Sequence, residues 1–137
     1  MIDADNIPPV ADDELLARFI VNRNEFRGDD SVKPKLFVPY KRVALSVNRH
    51  RDCSEEEIWN VGFSVAEKRN RTLHGRSDIR ASSCRIDPLD VVPKPLLPNN
   101  PNHADVTGFP STKEDQLAVA VKLAAAASGR ISVPEDH

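Results

Sequence analysis

The pattern of apolar and polar positions in residues 43–85 predicts a strand, a helix and a second extended segment, in that order. Alternation with a period of two, typical of a half-buried strand, is formed by Val43, Leu45 and Val47. Ser54 then opens a helix, because Glu57 three residues later completes a capping box that satisfies two free backbone amides. The chain becomes extended again near Ile79.

The helix that follows Ser54 has a broad apolar face at helical spacing. This face is formed by Ile58, Trp59, Gly62, Phe63, Val65 and Ala66. We expect it to pack against the sheet face that carries Val43, Leu45 and Val47. Aromatic side chains dominate small cores, so Phe63→Ala is expected to cost about 3–5 kcal/mol. By contrast, His74→Ala in a loop is expected to change stability by at most about 0.5 kcal/mol.

Apolar positions outside this central unit predict two more helices and one short strand. Residues 12–21 predict a helix whose inward side is formed by Leu15, Leu16, Phe19 and Ile20. Residues 36–38 lie between two prolines and predict a short strand at a sheet edge. A last helix is predicted to begin after Ser111, which has Glu114 three residues on, and to end at Gly129. Its buried side is expected to be Leu117, Ala120, Val121 and Ala124.

Residues 87–110 contain six prolines, which exclude a helix and predict a long loop with one short strand near Leu89 and Val91. The whole order of elements predicts an α+β fold in a single domain, residues 12–129. Its sheet is expected to have three to four strands, mostly antiparallel, with about three helices. Residues 1–11 are predicted to be a flexible acidic arm, and residues 130–137 a frayed tail.

Composition indicates a soluble protein without membrane contact. The chain has 137 residues, 39% of them hydrophobic, with no apolar run of membrane-spanning length and no apolar signal core at the N-terminus. Cys53 and Cys84 form no disulfide framework, which is typical of a reducing compartment. We therefore expect a cytoplasmic protein, with a composition rich in Asp, Arg and Ala that is typical of a small bacterial one.

Charge divides the chain into an acidic and a basic part. Residues 1–30 carry eight acidic side chains and three arginines, whereas residues 41–85 carry ten cations and six acids. The basic unit could bind an anionic partner, with His50, Arg51 and Arg80 as anion-binding residues. In the other interpretation these charges pair within the domain or with the acidic segment.

Histidines and arginines are the one set of residues that suggests catalysis. His74, Arg76 and Asp78 occupy alternate positions of an extended segment and share one face, while His103 lies on the proline-rich loop. His74 and His103 as acid and base, with Arg76 on the phosphate and both His50 and Arg51 in support, would suit phosphodiester cleavage. The alternative function is thus a small phosphodiesterase or nuclease, toxin-like, if the two histidines converge. Otherwise Arg76 and Asp78 form a surface ion pair.

No metal or cofactor site is predicted. Five residues have the chemistry of zinc ligands, namely His50, Cys53, His74, Cys84 and His103. Only the first two are spaced as a pair, whereas structural zinc sites use two close pairs. Because no catalytic set is complete, the leading hypothesis is an accessory or interaction module with a protein partner. Nucleic acid or a nucleotide is a further candidate partner, for which Tyr40 is the only nearby stacking residue.

Overall fold

The computed structural model describes residues 6–39 and 44–135. Tyr40 and Val43, both named above, therefore lie outside the described residues. The strands are β1 (Leu15–Ile20), β2 (Leu45–Arg49), β3 (Gly75–Arg80), β4 (Asp90–Pro93) and β5 (His103–Thr107). The helices are α1 (Glu55–Lys68), α2 (Ala81–Cys84) and α3 (Lys113–Ala126), with 3₁₀ helices at Arg23–Glu25 and Pro34–Phe37. No helix within the described ranges is long and apolar enough to cross a membrane.

The five strands form one antiparallel sheet in the order β3-β1-β2-β5-β4. The α+β class is confirmed, but the sheet has five strands rather than three to four. Two of the five strands were not predicted: β5 lies in residues 87–110, expected to be a loop with one short strand, and β1 was predicted to be a helix. Its apolar residues Leu16 and Ile20 are four apart, as on a helix, yet Ala17 and Phe19 are buried as well. A strand packed on both faces buries such a run equally well, and periodicity alone does not separate the two.

Both faces of the sheet are packed. One face places Leu45 and Val47 of β2 in a core with Leu36, Phe37 and, from α3, Leu123. On the opposite face α1 packs over β1, in a smaller core that contains Ala17, Phe19, Ile58, Trp59 and Ala66. This packing leaves the parts of β2 and β5 beyond α1 uncovered, and Ser46 is exposed there.

The capping box of α1 is confirmed, because the Glu57 amide donates to Ser54 Oγ at 3.1 Å. The predicted packing of this helix is wrong, since it covers β1 while Leu45 and Val47 face the other way. Phe63 is 37% exposed and is not part of the core. The cost of 3–5 kcal/mol predicted for Phe63→Ala is therefore not expected, and Trp59, one turn earlier, takes that role.

Three other local predictions need correction. Residues 34–37 form a 3₁₀ helix instead of an edge strand, with Pro34 at its first turn, where proline is favoured. The extended segment predicted at residues 79–86 is instead β3 at Gly75–Arg80, and α2 begins directly after it at Ala81. Helix α3 is capped by Thr112 rather than Ser111 and ends at Ala126, before Gly129.

The buried side of α3 also differs from the prediction. Gln116, Ala120 and Leu123 are buried, whereas Leu117 and Val121 expose about half of their surface. The helix is apolar almost all round, so its sequence does not indicate which side faces the core.

Contacts reach into both terminal segments. The carbonyls of Pro8 and Pro9 accept hydrogen bonds from Arg49, and Val10 is buried. At the other end Ile131 pairs with Arg76 of β3, and Arg130 forms a salt bridge with Asp30. The flexibility expected of the arm and the tail stays a prediction.

The turn between β2 and α1 is held by one buried amide, that of Asn102. Its side chain is 1% exposed; Nδ2 donates to the carbonyls of Arg49 and Arg51, and Oδ1 accepts from Arg51 Nε at 3.0 Å. Asn102→Ala is expected to lower the free energy of unfolding by about 1–3 kcal/mol, because it leaves these buried groups without partners. Urea denaturation measures the change. Asn99→Ala, at an exposed position three residues earlier, is the control, and an equal loss in both variants would contradict the assignment.

Candidate functional site

Strands β1 and β2 separate soon after they meet. They pair only at Leu16–Arg49 and Ala17–Asn48, whereas β1 and β3 pair at six positions. Where the ladder stops, the side chain of Arg18 takes its place. Its Nη1 donates to the Ser46 carbonyl of β2 at 3.0 Å, and its Nε donates to the Leu36 carbonyl at 2.9 Å. A guanidinium group is thus held half-buried between two central strands.

A groove of about 530 Å³ opens at this separation. It lies between the C-terminal half of α1, strand β2 and the tip of the β4–β5 hairpin. We call it the basic groove, and its chemistry comes from Arg18, Lys68, Arg69, Leu96, Asn100 and His103. Its volume lies within the range of roughly 300–1,000 Å³ that is usual for ligand sites.

The basic groove is positively charged and lacks a compensating acid. Among the described residues its lining includes Arg18, Lys68 and Arg69 but no carboxylate, and none of these three cations forms a salt bridge. Burial lowers the pKa of Arg18 to about 10; the charge of Glu25 acts to raise this pKa, and that of Arg69 lowers it further. The groove therefore concentrates three positive charges, none of which forms a direct ion pair with a described carboxylate.

The hairpin tip is anchored to the floor of the groove by neutral polar groups. Asn48 Nδ2 of β2 donates to Asn100 Oδ1 at 2.7 Å. His103 Nδ1 lies 3.0 Å from the Lys94 carbonyl, which can only accept, so Nδ1 carries the proton. In the neutral ring Nε2 is then the acceptor. The tip itself closes through two backbone hydrogen bonds between Leu96 and Asn100.

Arg76 belongs to a second polar cluster, which ties α1 to the sheet. Its Nη1 and Nη2 contact both oxygens of Glu55 at 3.0 and 2.9 Å, and its Nε contacts Asp78 Oδ1 at 3.1 Å. His50 Nε2 lies 2.9 Å from the same Asp78 oxygen, and the Arg76 guanidinium lies over the Trp59 ring. Arg76 is only 3% exposed, so its pair with Asp78 is buried rather than on the surface.

The charges in this cluster favour ionised Asp78. Burial acts to raise the pKa of Asp78, but the hydrogen bonds and electrostatic attraction from His50 and Arg76 outweigh it and lower the pKa. All three guanidinium nitrogens of Arg76 are thus directed at protein carboxylates, and no residue of this cluster belongs to the described lining of the basic groove.

The structure does not bring His74 and His103 together. His74 directly precedes β3 and His103 begins β5, and two strands lie between these two. Three inter-strand steps of about 4.8 Å give about 14 Å across the sheet. His103 is level with Ala17, through Asn48, whereas the His74 amide binds Ile20, about 10 Å further along β1. The two backbones are therefore on the order of 17 Å apart, far more than one phosphate spans.

The predicted anion-binding residues His50, Arg51 and Arg80 meet at one end of the sheet. Leu15 of β1 pairs with Arg80, and its carbonyl accepts from the His50 amide. Each side chain has a protein partner: His50 binds Asp78, Arg51 Nε donates to Asn102, and Arg80 Nη1 donates to the Asp13 carbonyl.

Metal sites and reactive cysteines are two further types of site that the structure bears on. Within the described ranges no three His, Cys, Asp or Glu side chains lie close enough to hold a metal ion. Cys53 and Cys84 are both free thiols. Burial raises the pKa of Cys84 to about 12 and also raises that of Cys53, which is the wrong direction for a thiolate nucleophile.

Sequence reasoning missed the residues that shape the basic groove. A signal was present at Arg18, the one charge inside the apolar run of residues 15–21, because a buried cation needs a partner. Lys68 and Arg69 were counted among the ten cations of residues 41–85 but were not predicted as binding residues. Comparison with protein families, curated proteins and solved structures finds no match to this chain.

Proposed function

We propose that this protein is an interaction module of the cytoplasm that binds an anionic partner, most simply another protein, through the basic groove. The observation that supports it is Arg18, a half-buried cation without a carboxylate partner among the described residues. An unpaired charge in a shielded place is costly. An anion bound beside it would offset that cost and would stabilise the folded state.

The proposal keeps the anionic partner expected from the basic unit of residues 41–85, but it assigns the binding to the basic groove instead of to His50, Arg51 and Arg80. Lys68 and Arg69 belong to that unit, while His50, Arg51 and Arg80 are engaged by protein groups. His74 lies far from His103, and Arg76 is bound to two carboxylates of the protein. These findings offer no support for the phosphodiesterase or nuclease alternative, which we do not put forward.

Amide chemical shifts test this proposal directly. We titrate the ¹⁵N-labelled protein at low ionic strength with three anions, namely pyrophosphate, hexaglutamate and a short oligouridylate. At least one of them is expected to shift the amide resonances of Phe19, Ser46 and Arg69, because these residues line the groove. Moderate salt should weaken the effect, since exposed charges are screened.

Matched variants locate the binding. The double variant Lys68→Gln, Arg69→Gln is expected to weaken the affinity about tenfold or more, the value of one charge-assisted hydrogen bond. Arg71→Gln removes an exposed cation two residues beyond Arg69 and outside the groove, so it should leave the affinity nearly unchanged. The proposal fails if none of the three anions shifts these resonances, or if the shifts concentrate at His50 and Arg80 instead.

A further inference from the structure

The basic groove continues into a second depression along α1. This depression, of about 160 Å³, is lined by Asn60, Ser64 and Asn99 and shares Val65, Lys68 and Asn100 with the groove. Asn60, Ser64 and Lys68 are spaced by four residues and lie on one side of the helix. The two spaces therefore form one channel between α1 and the hairpin tip. From Asn60 to Arg69 it follows nine residues of helix, or about 14 Å.

The length and polarity of this channel suit an extended peptide. About 14 Å corresponds to four residues of extended chain, at about 3.4 Å each. Toward Asn60 the walls are neutral amides and a hydroxyl, which can both donate to and accept from a peptide backbone. Toward Arg69 they become cationic. A compact ligand would use only one of these ends.

Apolar surface accompanies the cationic end. Leu96 lines the groove and is 49% exposed, and Val65 faces it from α1. Exposed leucine beside a positively charged cavity suits a ligand that carries an apolar side chain next to its negative charge. Among Phe, Tyr and Trp the described lining contains only Phe19, which is 7% exposed and offers little surface on which a nucleic-acid base could stack.

We infer that the anionic partner binds as an extended acidic peptide segment of about four residues. A carboxylate side chain lies between Arg18 and Arg69, a large apolar side chain covers Leu96, and the backbone runs along Ser64 and Asn60. The inference rests on the proposed function and adds the chemical class of the partner.

Selection from a random peptide library displayed on phage tests this inference without assuming a sequence. Enriched peptides are expected to combine at least one Asp or Glu with a neighbouring Leu, Ile, Met or Phe. Each selected peptide is then synthesised in three forms: unchanged, with its acids replaced by amides, and with its apolar residue replaced by serine. Both replacements are expected to weaken binding about tenfold or more.

Two matched pairs of protein variants place the peptide in the channel. Arg69→Gln and Leu96→Ser are expected to weaken binding about tenfold, while Arg71→Gln and Leu97→Ser, at exposed neighbours outside the described lining, change it less than about twofold. All four residues are exposed, so the variants are expected to fold, and circular dichroism melts verify this.

Several outcomes would overturn the inference. These are a library that yields no binder, binders without acids, binding that is insensitive to Arg69→Gln and Leu96→Ser, or an oligouridylate that binds as tightly as the best peptide. If the anion titration still shifts the groove resonances, the proposed function survives and only the peptide is wrong. If both experiments are negative, the groove is not a binding site.

Discussion

Replacing Arg49 with methionine is expected to lower the free energy of unfolding by about 3–5 kcal/mol. Arg49 is 1% exposed, contacts both carboxylate oxygens of Glu14 at 2.8 Å and donates to the Pro8 carbonyl at 2.8 Å. Methionine has a similar length but leaves the carboxylate and the carbonyl without a donor in a shielded place. Urea denaturation at neutral pH measures the loss.

Arg85→Met is the matched control for this variant. Arg85 also fixes the N-terminal segment, through Asp12 and the Val10 carbonyl, and it contacts Asp90 as well. Its two carboxylate partners are 74% and 62% exposed, so water replaces the lost ion pairs. The Val10 and Val91 carbonyls lose a donor, and a cost of about 1–2 kcal/mol is expected, well below that of Arg49→Met. Similar losses in the two variants would show that the Arg49 pair is not the buried anchor described above.

The pH dependence of the same variant provides a second measure. Burial acts to raise the pKa of Glu14, but the hydrogen bonds from Arg49 and the Ala11 amide lower it below its ordinary value of 4.5. A carboxyl whose pKa is lowered by folding stabilises the protein above its unfolded pKa, and this stabilisation is lost as the pH falls through the folded value. The stability difference between wild type and Arg49→Met should therefore be constant near neutrality and shrink below pH 4.5.

Trp59→Ala is expected to cost about 3–5 kcal/mol, in contrast to a cost of about 1 kcal/mol or less for Phe63→Ala. The two residues are one turn apart on α1. Trp59 is 3% exposed, packs in the core with Phe19, and supports the Arg76 guanidinium, which lies 4.8 Å from its ring centroid. Phe63 is more than one third exposed, so truncation leaves no buried cavity.

Chemical denaturation of the two variants, monitored by far-ultraviolet circular dichroism, checks this order. The signal reports the backbone, so loss of the tryptophan does not remove the probe. A greater loss for Phe63→Ala would mean that α1 is rotated about its axis by about 40°, the offset between residues four apart, which would also shift Lys68 and Arg69 relative to the basic groove.

The features that were predicted correctly are those specified by residues close together in the sequence. The start of α1 was predicted correctly because Ser54 and Glu57 satisfy each other's backbone amides without help from the rest of the chain. The strand at residues 45–49 was predicted because Leu45 and Val47 alternate with polar residues, although Asn48 and Arg49 are buried as well. For α3 the start was missed by only one residue, but its buried side was not predicted, because an apolar helix fits a core in several rotations.

The features that were not predicted depend on contacts between residues far apart in the sequence. Residues 15–20 become a strand because β2 and β3 flank them, and neither neighbour can be identified from the apolar run itself. The basic groove combines residues 18, 46, 69, 96 and 103, which no spacing rule connects. The histidine pair failed for the same reason. His74 and His103 have suitable chemistry, but the strand order places two strands between them.

The short contact between β1 and β2 divides the sheet into two parts that are joined by few backbone hydrogen bonds. One part is β3 with β1, and the other is β2 with β5 and β4. The contacts that join them include two residue pairs, the Arg18 side chain, and the amide and ring of His50. Local openings of a protein begin where its hydrogen bonds are fewest. A ligand that contacted Arg18 of β1 and Asn48 of β2 would add a contact between the two parts of the sheet. Ligand binding would then stabilise the pairing of the two parts of the sheet, and any loosening of this pairing would weaken ligand binding.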